Sequence, residues 1–212
     1  MSGGDLWVFG YGSLIWKPGF PFLEQRRARL VGFHRALCVF SVHYRGTSRQ
    51  PGLVFGLAAG GFCEGMVFRI AAGQVRATTD YLRDREQVTG VYKAERRLVE
   101  LAHPGTERGG LGEVRALAFI ANPYHPQYAG ALPMEMQVRI VRAAHGVSGP
   151  NAEYVRNTAR HLAELGIRDR DLALVAARLG RVTSRPAYPR DLVQGLPPQR
   201  ALCSGYQRNL GL

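Results

Sequence analysis

An α+β fold, with a small mixed β-barrel or strongly curled sheet surrounded by helices, is predicted by the order of patterns along the chain. Short runs rich in β-branched and aromatic residues, bounded by glycines and prolines, fill much of residues 6–70 and 92–120. One helical pattern interrupts them at residues 71–87, and three more follow from residue 134. Strands first, one helix among them and helices last is an α+β order, and short strands separated by turns curl or close readily.

The first strand, Leu6-Trp7-Val8-Phe9, runs straight into Gly10-Tyr11-Gly12-Ser13. Glycine has no Cβ, so the backbone can bend sharply here and a ligand can approach it closely. Successive amides in such a bend form a concavity that attracts a carboxylate or an oxyanion. A plain turn that ends a strand is the competing reading of a G-x-G. Lys17-Pro18-Gly19-Phe20-Pro21 is a loop, because its prolines exclude regular structure. Residues 24–30 alternate charged and small apolar groups and lead into a strand over 30–40. Residues 41–52 are rich in turn formers and predict a surface loop, where binding groups are often carried. Residues 53–57 and 62–70 read as two strands joined by a turn at Gly60-Gly61.

Residues 71–87 read as a helix, with Val75, Thr78 and Leu82 at helical spacing and Gly90 as its stop. Strand patterning returns at 92–102 and 114–120 around a glycine-rich loop at 104–112, and 122–133 is loop again. Helices are expected at 134–144, 151–165 and 171–179, with Pro150-Asn151 and Asp169 as capping signals. The body is expected to be a single catalytic domain over 1–180. Residues 181–212, with several prolines and little periodicity, are expected to form a tail that packs on it or is partly disordered.

A chain of 212 residues can bury a real core, and its apolar and charged fractions are those of a globular protein. No stretch reaches the roughly 18 apolar residues of a membrane span, and residues 1–5 lack a signal-peptide pattern. A soluble, cytoplasmic protein without membrane association is therefore expected. Cys38, Cys63 and Cys203 are widely spaced, which argues for idle or buried thiols over a disulfide framework. The formal charge is +12, nearly all from arginine, since lysine appears only as Lys17 and Lys93. Such a surface favours anionic partners. The arginines are scattered, however, and no nucleic-acid motif accompanies them, so no nucleic-acid partner is expected. Oligomeric state is left open.

Several chemistries fail on spacing. His34, His43, His103, His125, His145 and His161 show no paired spacing on a helix face, so no metal site is expected. Gly10-Tyr11-Gly12-Ser13 puts its serine out of register for a nucleophile elbow. Ile15 stands where a dinucleotide-binding fold needs its third glycine. What remains is a carboxylate. Glu86 ends Tyr81-Leu82-Arg83-Asp84-Arg85-Glu86, and Leu82, four residues earlier, shares its face. If Leu82 faces the core, Glu86 sits at the core's edge, where lost hydration raises its pKa and improves it as a base. A solvated surface glutamate is the other reading. Asp84 points away around the helix, and Glu64, Glu95 and Glu153 are expected to be structural or solvated.

These segments together resemble one family. Val8-Phe9-Gly10-Tyr11-Gly12-Ser13-Leu14-Ile15-Trp16-Lys17 is similar to the signature of the ChaC family of glutathione-specific γ-glutamylcyclotransferases. Leu30-Val31-Gly32-Phe33, His43-Tyr44-Arg45-Gly46 with Pro51-Gly52, the segment ending in Glu86, and Gly149-Pro150-Asn151-Ala152-Glu153-Tyr154 follow in family order. The likeness spans residues 6–180 and leaves the tail and the arginine-rich composition unexplained.

The resemblance implies a mixed β-barrel with helices, no cofactor, and a cyclising lyase that splits glutathione into 5-oxoproline and cysteinylglycine. Glu86 matches the family's catalytic glutamate, the general base toward the substrate's α-amine. The stretch Val8, Phe9, Gly10, Tyr11, Gly12, Ser13 and Leu14 is expected at the substrate, its bend supplying amides for a carboxylate and for the oxyanion. Tyr11 and Tyr92 are expected to wall the pocket, with Tyr154 and Tyr128 as lesser candidates, since such tyrosines are often core or rim residues. Arg45 is either the partner of a second substrate carboxylate or an ordinary surface arginine. Two rivals stand beside this reading: a cyclotransferase for other γ-glutamyl amino acids or γ-glutamylamines, and a basic binding module without activity.

Overall fold

A computed structural model describes residues 4–87, 89–102 and 112–180; His103 and the expected tail at 181–212 lie outside them. Within the described residues the chain divides into two compact units, one from 4–36 and 56–121, the other from 37–55 and 122–180. The boundary cuts two long strands.

The first unit is built on strands β1 (Leu6–Gly10), β2 (Glu24–Ser41, as far as Ala36), β3 (Gly52–Ile70, from Gly56), β4 (Tyr92–Leu101) and β5 (Glu113–Ala121). They close into a barrel in the order β1-β3-β2-β4-β5, with a further β3–β5 pairing. The sheet is mixed. β1 runs antiparallel to β3, with Leu6 opposite Ile70 and Gly10 opposite Met66, and parallel to β5, with Val8 opposite Leu117. Val8, Phe9, Leu57, Val67, Phe68 and Ala116 are buried in this unit. Helix α1 (Val75–Glu86) follows a short 3₁₀ turn at Ala72–Gln74 and buries Thr78 and Leu82. The helix is thus shorter at its start than the expected 71–87.

Two strand expectations change. Residues 53–57 and 62–70, expected as two strands joined by a turn, belong to one strand. Within it Gly60 and Gly61 take φ of 99° and 67°, a region open to glycine. β2 begins at Glu24, well before residue 30, because a partner strand extends it: Ala28 lies opposite Leu101 and Arg29 opposite Glu100.

The second unit contains the ends of β2 and β3, the small pair β6 (His145–Gly146) and β7 (Gly149–Pro150), and helices α2 (Met134–Ala143), α3 (Asn151–Glu164) and α4 (Arg170–Leu179). Ile140, Val141, Val155, Leu162, Leu172 and Val175 form its helical core. Asp169 caps α4, its Oδ1 accepting from the Leu172 amide at 3.0 Å, as the sequence predicts. Asn151 caps nothing. Its side chain accepts from the Leu53 amide at 2.7 Å and donates to the Leu53 carbonyl at 2.8 Å, taking the place of a strand partner.

Candidate active site

Beyond Gly10 the chain leaves β1, bends through Tyr11 and Gly12, and forms a 3₁₀ turn over Ser13–Ile15. Three side-chain groups hold this bend. The Tyr11 hydroxyl donates to the Phe119 carbonyl at 2.8 Å. The Arg35 guanidinium donates to the Tyr11 and Glu64 carbonyls. Arg85 donates to Ser13 Oγ at 2.9 Å and to the Lys17 carbonyl at 2.7 Å. In a trans peptide the carbonyl and the following N–H point in opposite directions. With its Tyr11 oxygen turned to Arg35, the 11–12 peptide therefore aims the Gly12 amide the other way. Among the described residues no protein acceptor takes the amides of Gly12, Ser13 and Leu14. Such a run of amides suits an anion.

The space that Gly10 leaves open is filled by the protein itself. A Cβ there would sit 3.1 Å from Leu14 Cβ and 3.2 Å from Phe68 Cε2. Glycine at position 10 thus serves the packing of the bend. Val8 and Phe9 are wholly enclosed, at 0 % exposure. Their side chains pack in the core beneath the bend. Tyr11 and Leu14 are buried as well, and Ser13 is half-buried.

Glu86 is the last residue of α1. Leu82, one turn earlier, is 1 % exposed, while Glu86 keeps 18 % of its side-chain surface accessible. It sits at the edge of the core. Loss of hydration pushes its carboxyl above the ordinary value of 4.5, and the neighbouring Arg85 cation, which also hydrogen-bonds it, opposes that push. Arg85 Nε lies 3.1 Å from Glu86 Oε1. The guanidinium that holds Ser13 Oγ therefore holds the carboxylate too, so Glu86 and the amide-bearing bend are bound to two nitrogens of one planar group. Asp84 is exposed, as expected. Gln87 donates through Nε2 to the carbonyl of Tyr92 at 3.4 Å, joining the end of α1 to the start of β4, and Tyr92 is half-buried there.

Arg45 and Tyr154 belong to the second unit. Arg45 Nη1 donates to the Pro150 carbonyl at 3.2 Å, and its guanidinium lies over the Tyr154 ring, 5.5 Å from the centroid. Burial lowers the Arg45 pKa, while Glu153 and Tyr154 act against that. Tyr154 is 7 % exposed, and its hydroxyl accepts from the Phe55 amide at 3.3 Å. Tyr128 forms an isolated bridge with Val39 in this unit. Of the expected structural glutamates, Glu64 pairs with Arg29 at 3.4 Å and Glu95 pairs with Arg97. Among the described residues no three His, Cys, Asp or Glu side chains come together as a metal site requires. No helix among them is long and apolar enough to cross a membrane.

Sequence reasoning missed Arg35 and Arg85. Arg35 carried no local signal. Arg85 had one, its four-residue spacing from Tyr81, which puts both on one helix face; the Tyr81 hydroxyl accepts from Arg85 Nη1 at 2.8 Å.

A closed mixed barrel with helices defines the class. The fold is that of a glutathione-specific γ-glutamyl cyclotransferase from yeast, at a TM-score of 0.77 and 22 % identity over 84 % of this chain and 97 % of that one. The family model for ChaC-like proteins matches residues 6–180, and the chain belongs to that family. It is 34 % identical to the glutathione-specific γ-glutamylcyclotransferase of Escherichia coli (strain K12), over 78 % of this chain and 69 % of the relative. It is 31 % identical to the human glutathione-specific γ-glutamylcyclotransferase 1, over 81 % of this chain and 76 % of the relative.

Proposed function

We propose that this protein is a γ-glutamylcyclotransferase that cleaves reduced glutathione to 5-oxoproline and cysteinylglycine, with Glu86 as general base. The observation that carries the reading is the single Arg85 guanidinium shared by Glu86 and the bend at Ser13. Membership of the ChaC-like family and the names of the relatives supply the substrate.

The α-amine of the γ-glutamyl group attacks its own γ-carbonyl carbon. A five-membered lactam forms, and the bond from that carbon to the cysteinyl nitrogen breaks. The attack is intramolecular, so holding the substrate in the right conformer removes much of the entropic barrier. Glu86 takes a proton from the amine and returns it to the departing cysteinyl nitrogen, which leaves as a neutral amine. A carboxylate with a raised pKa takes that proton more readily than an ordinary one. The amides of Gly12, Ser13 and Leu14 supply donors for the tetrahedral oxyanion and for the substrate's α-carboxylate. Tyr11 and Tyr92 flank this region. No cofactor enters the scheme.

Arg45 is read as a partner for the substrate's second carboxylate, which glutathione carries on its glycine and γ-glutamyl-alanine one residue nearer, on its alanine. The reading puts the reaction in the cytoplasm. Nucleic acid has no part in it.

Purified protein incubated with glutathione, and separately with γ-glutamyl-alanine, tests the proposal through release of 5-oxoproline. Turnover of glutathione, little of the dipeptide and near-complete loss in Glu86→Gln are expected. That substitution keeps the side chain's shape and removes its basicity, so an active variant would overturn the mechanism. Equal turnover of both substrates would shift the assignment to γ-glutamyl amino acids in general.

A further inference from the structure

The geometry points to Arg85 as the positioning residue of this reaction, the group that holds the proton acceptor and the amide-bearing bend at a fixed spacing. This rests on the reading of Glu86 as base. Each of the three guanidinium nitrogens has a protein partner. Nε faces Glu86 Oε1 at 3.1 Å, and Nη2 donates to Ser13 Oγ at 2.9 Å. Nη1 donates to the Lys17 carbonyl at 2.7 Å, the Pro18 carbonyl at 3.2 Å and the Tyr81 hydroxyl at 2.8 Å. A guanidinium is planar and rigid, so groups bound to its different nitrogens cannot shift against one another without breaking a hydrogen bond. The Tyr81 hydroxyl, one helical turn back, steadies the fork from its own helix. Arg85 acts through Glu86 and Ser13. It also tunes the base, because its charge offsets part of the desolvation that Glu86 suffers.

The test compares full-length wild type with Arg85→Met and Arg85→Lys. It follows kcat and KM for glutathione across pH, with near-ultraviolet circular dichroism as the check on folding. In Arg85→Met kcat is expected to fall about 100-fold, the cost of displacing reacting groups by about 1 Å, with a smaller change in KM. The acid limb of its pH profile should move to higher pH, since nothing then opposes the desolvation of Glu86. Arg85→Lys keeps the charge and loses the fork. Its acid limb should stay near that of wild type, while kcat remains down on the order of tenfold.

A folded Arg85→Met protein with wild-type kcat and an unmoved acid limb overturns the inference. Should that variant not fold, wild-type kcat in Arg85→Lys overturns it. Failure of the proposed function is a separate result, a wild type that does not release 5-oxoproline from glutathione. Even then, titration of the Glu86 carboxyl by carbon-13 NMR in substrate-free protein tests the coupling. An upward shift in Arg85→Met but not in Arg85→Lys supports it, and no shift overturns it.

Discussion

At the scale of single residues the chemistry turns on how a carboxylate behaves once most of its water is gone. Glu86 binds its proton more tightly than a solvated glutamate, because burial penalises the ion by more than Arg85 restores. Activity should therefore fall away, as pH drops, through a midpoint above 4.5, and a midpoint at or below the ordinary value would contradict this. Stability follows the same sign. A folded pKa raised above the unfolded one contributes stability that is complete below pH 4.5 and is lost as pH rises through the folded value. Glu86→Gln lacks that titration. Its melting temperature minus that of wild type should thus increase across this window, and a flat difference from acid to neutral pH would sink the prediction. The face of Glu86 was legible from its spacing to Leu82. Its ties to Arg85 and Ser13 were not, since Ser13 and Arg85 lie far apart in the chain.

At the scale of elements, side chains that substitute for backbone partners decide where strands and helices lie. Asn151 is fully buried at the start of α3 and completes both hydrogen bonds of Leu53 in β3. Tyr154, almost one turn on, accepts from the Phe55 amide of the same strand. Asn151→Ala would leave the Leu53 amide and carbonyl unsatisfied in the interior. A loss of about 2 kcal/mol is expected, measured by urea denaturation, since each orphaned buried group costs about 1–3 kcal/mol. An unchanged midpoint would show that water replaces the side chain. Capping chemistry is short-range, which is why Asp169 could be assigned from sequence. A helix-start asparagine offers the same local signal whether it caps its own helix or clasps a strand. Only the presence of Leu53 beside it selects the second. Likewise a Gly-Gly pair between apolar runs predicts a turn between two strands, yet β3 includes Gly60 and Gly61, and both of its halves find partners, Leu57 on β5 and residues 66–70 on β1.

At the scale of the whole molecule, the match to the family ends at residue 180, directly after α4 closes at Leu179. Every residue given a role in the reaction lies at or before Tyr154. A chain ending at Gly180 should consequently turn over glutathione with unchanged kcat/KM. A folded but inactive truncation would assign the remaining residues a part in catalysis.

The amino-acid sequence by itself determined the α+β order, the bend after β1, the helix that ends at Glu86 and the family, because each is written in local spacing or in a contiguous motif. Tertiary structure alone decided that Val8 and Phe9 are fully buried, that Gly10 makes room for Leu14 and Phe68, and that two arginines hold the bend. Those facts depend on which distant segments meet, and hydrogen bonds and packing across long sequence separations leave no periodic trace in the chain.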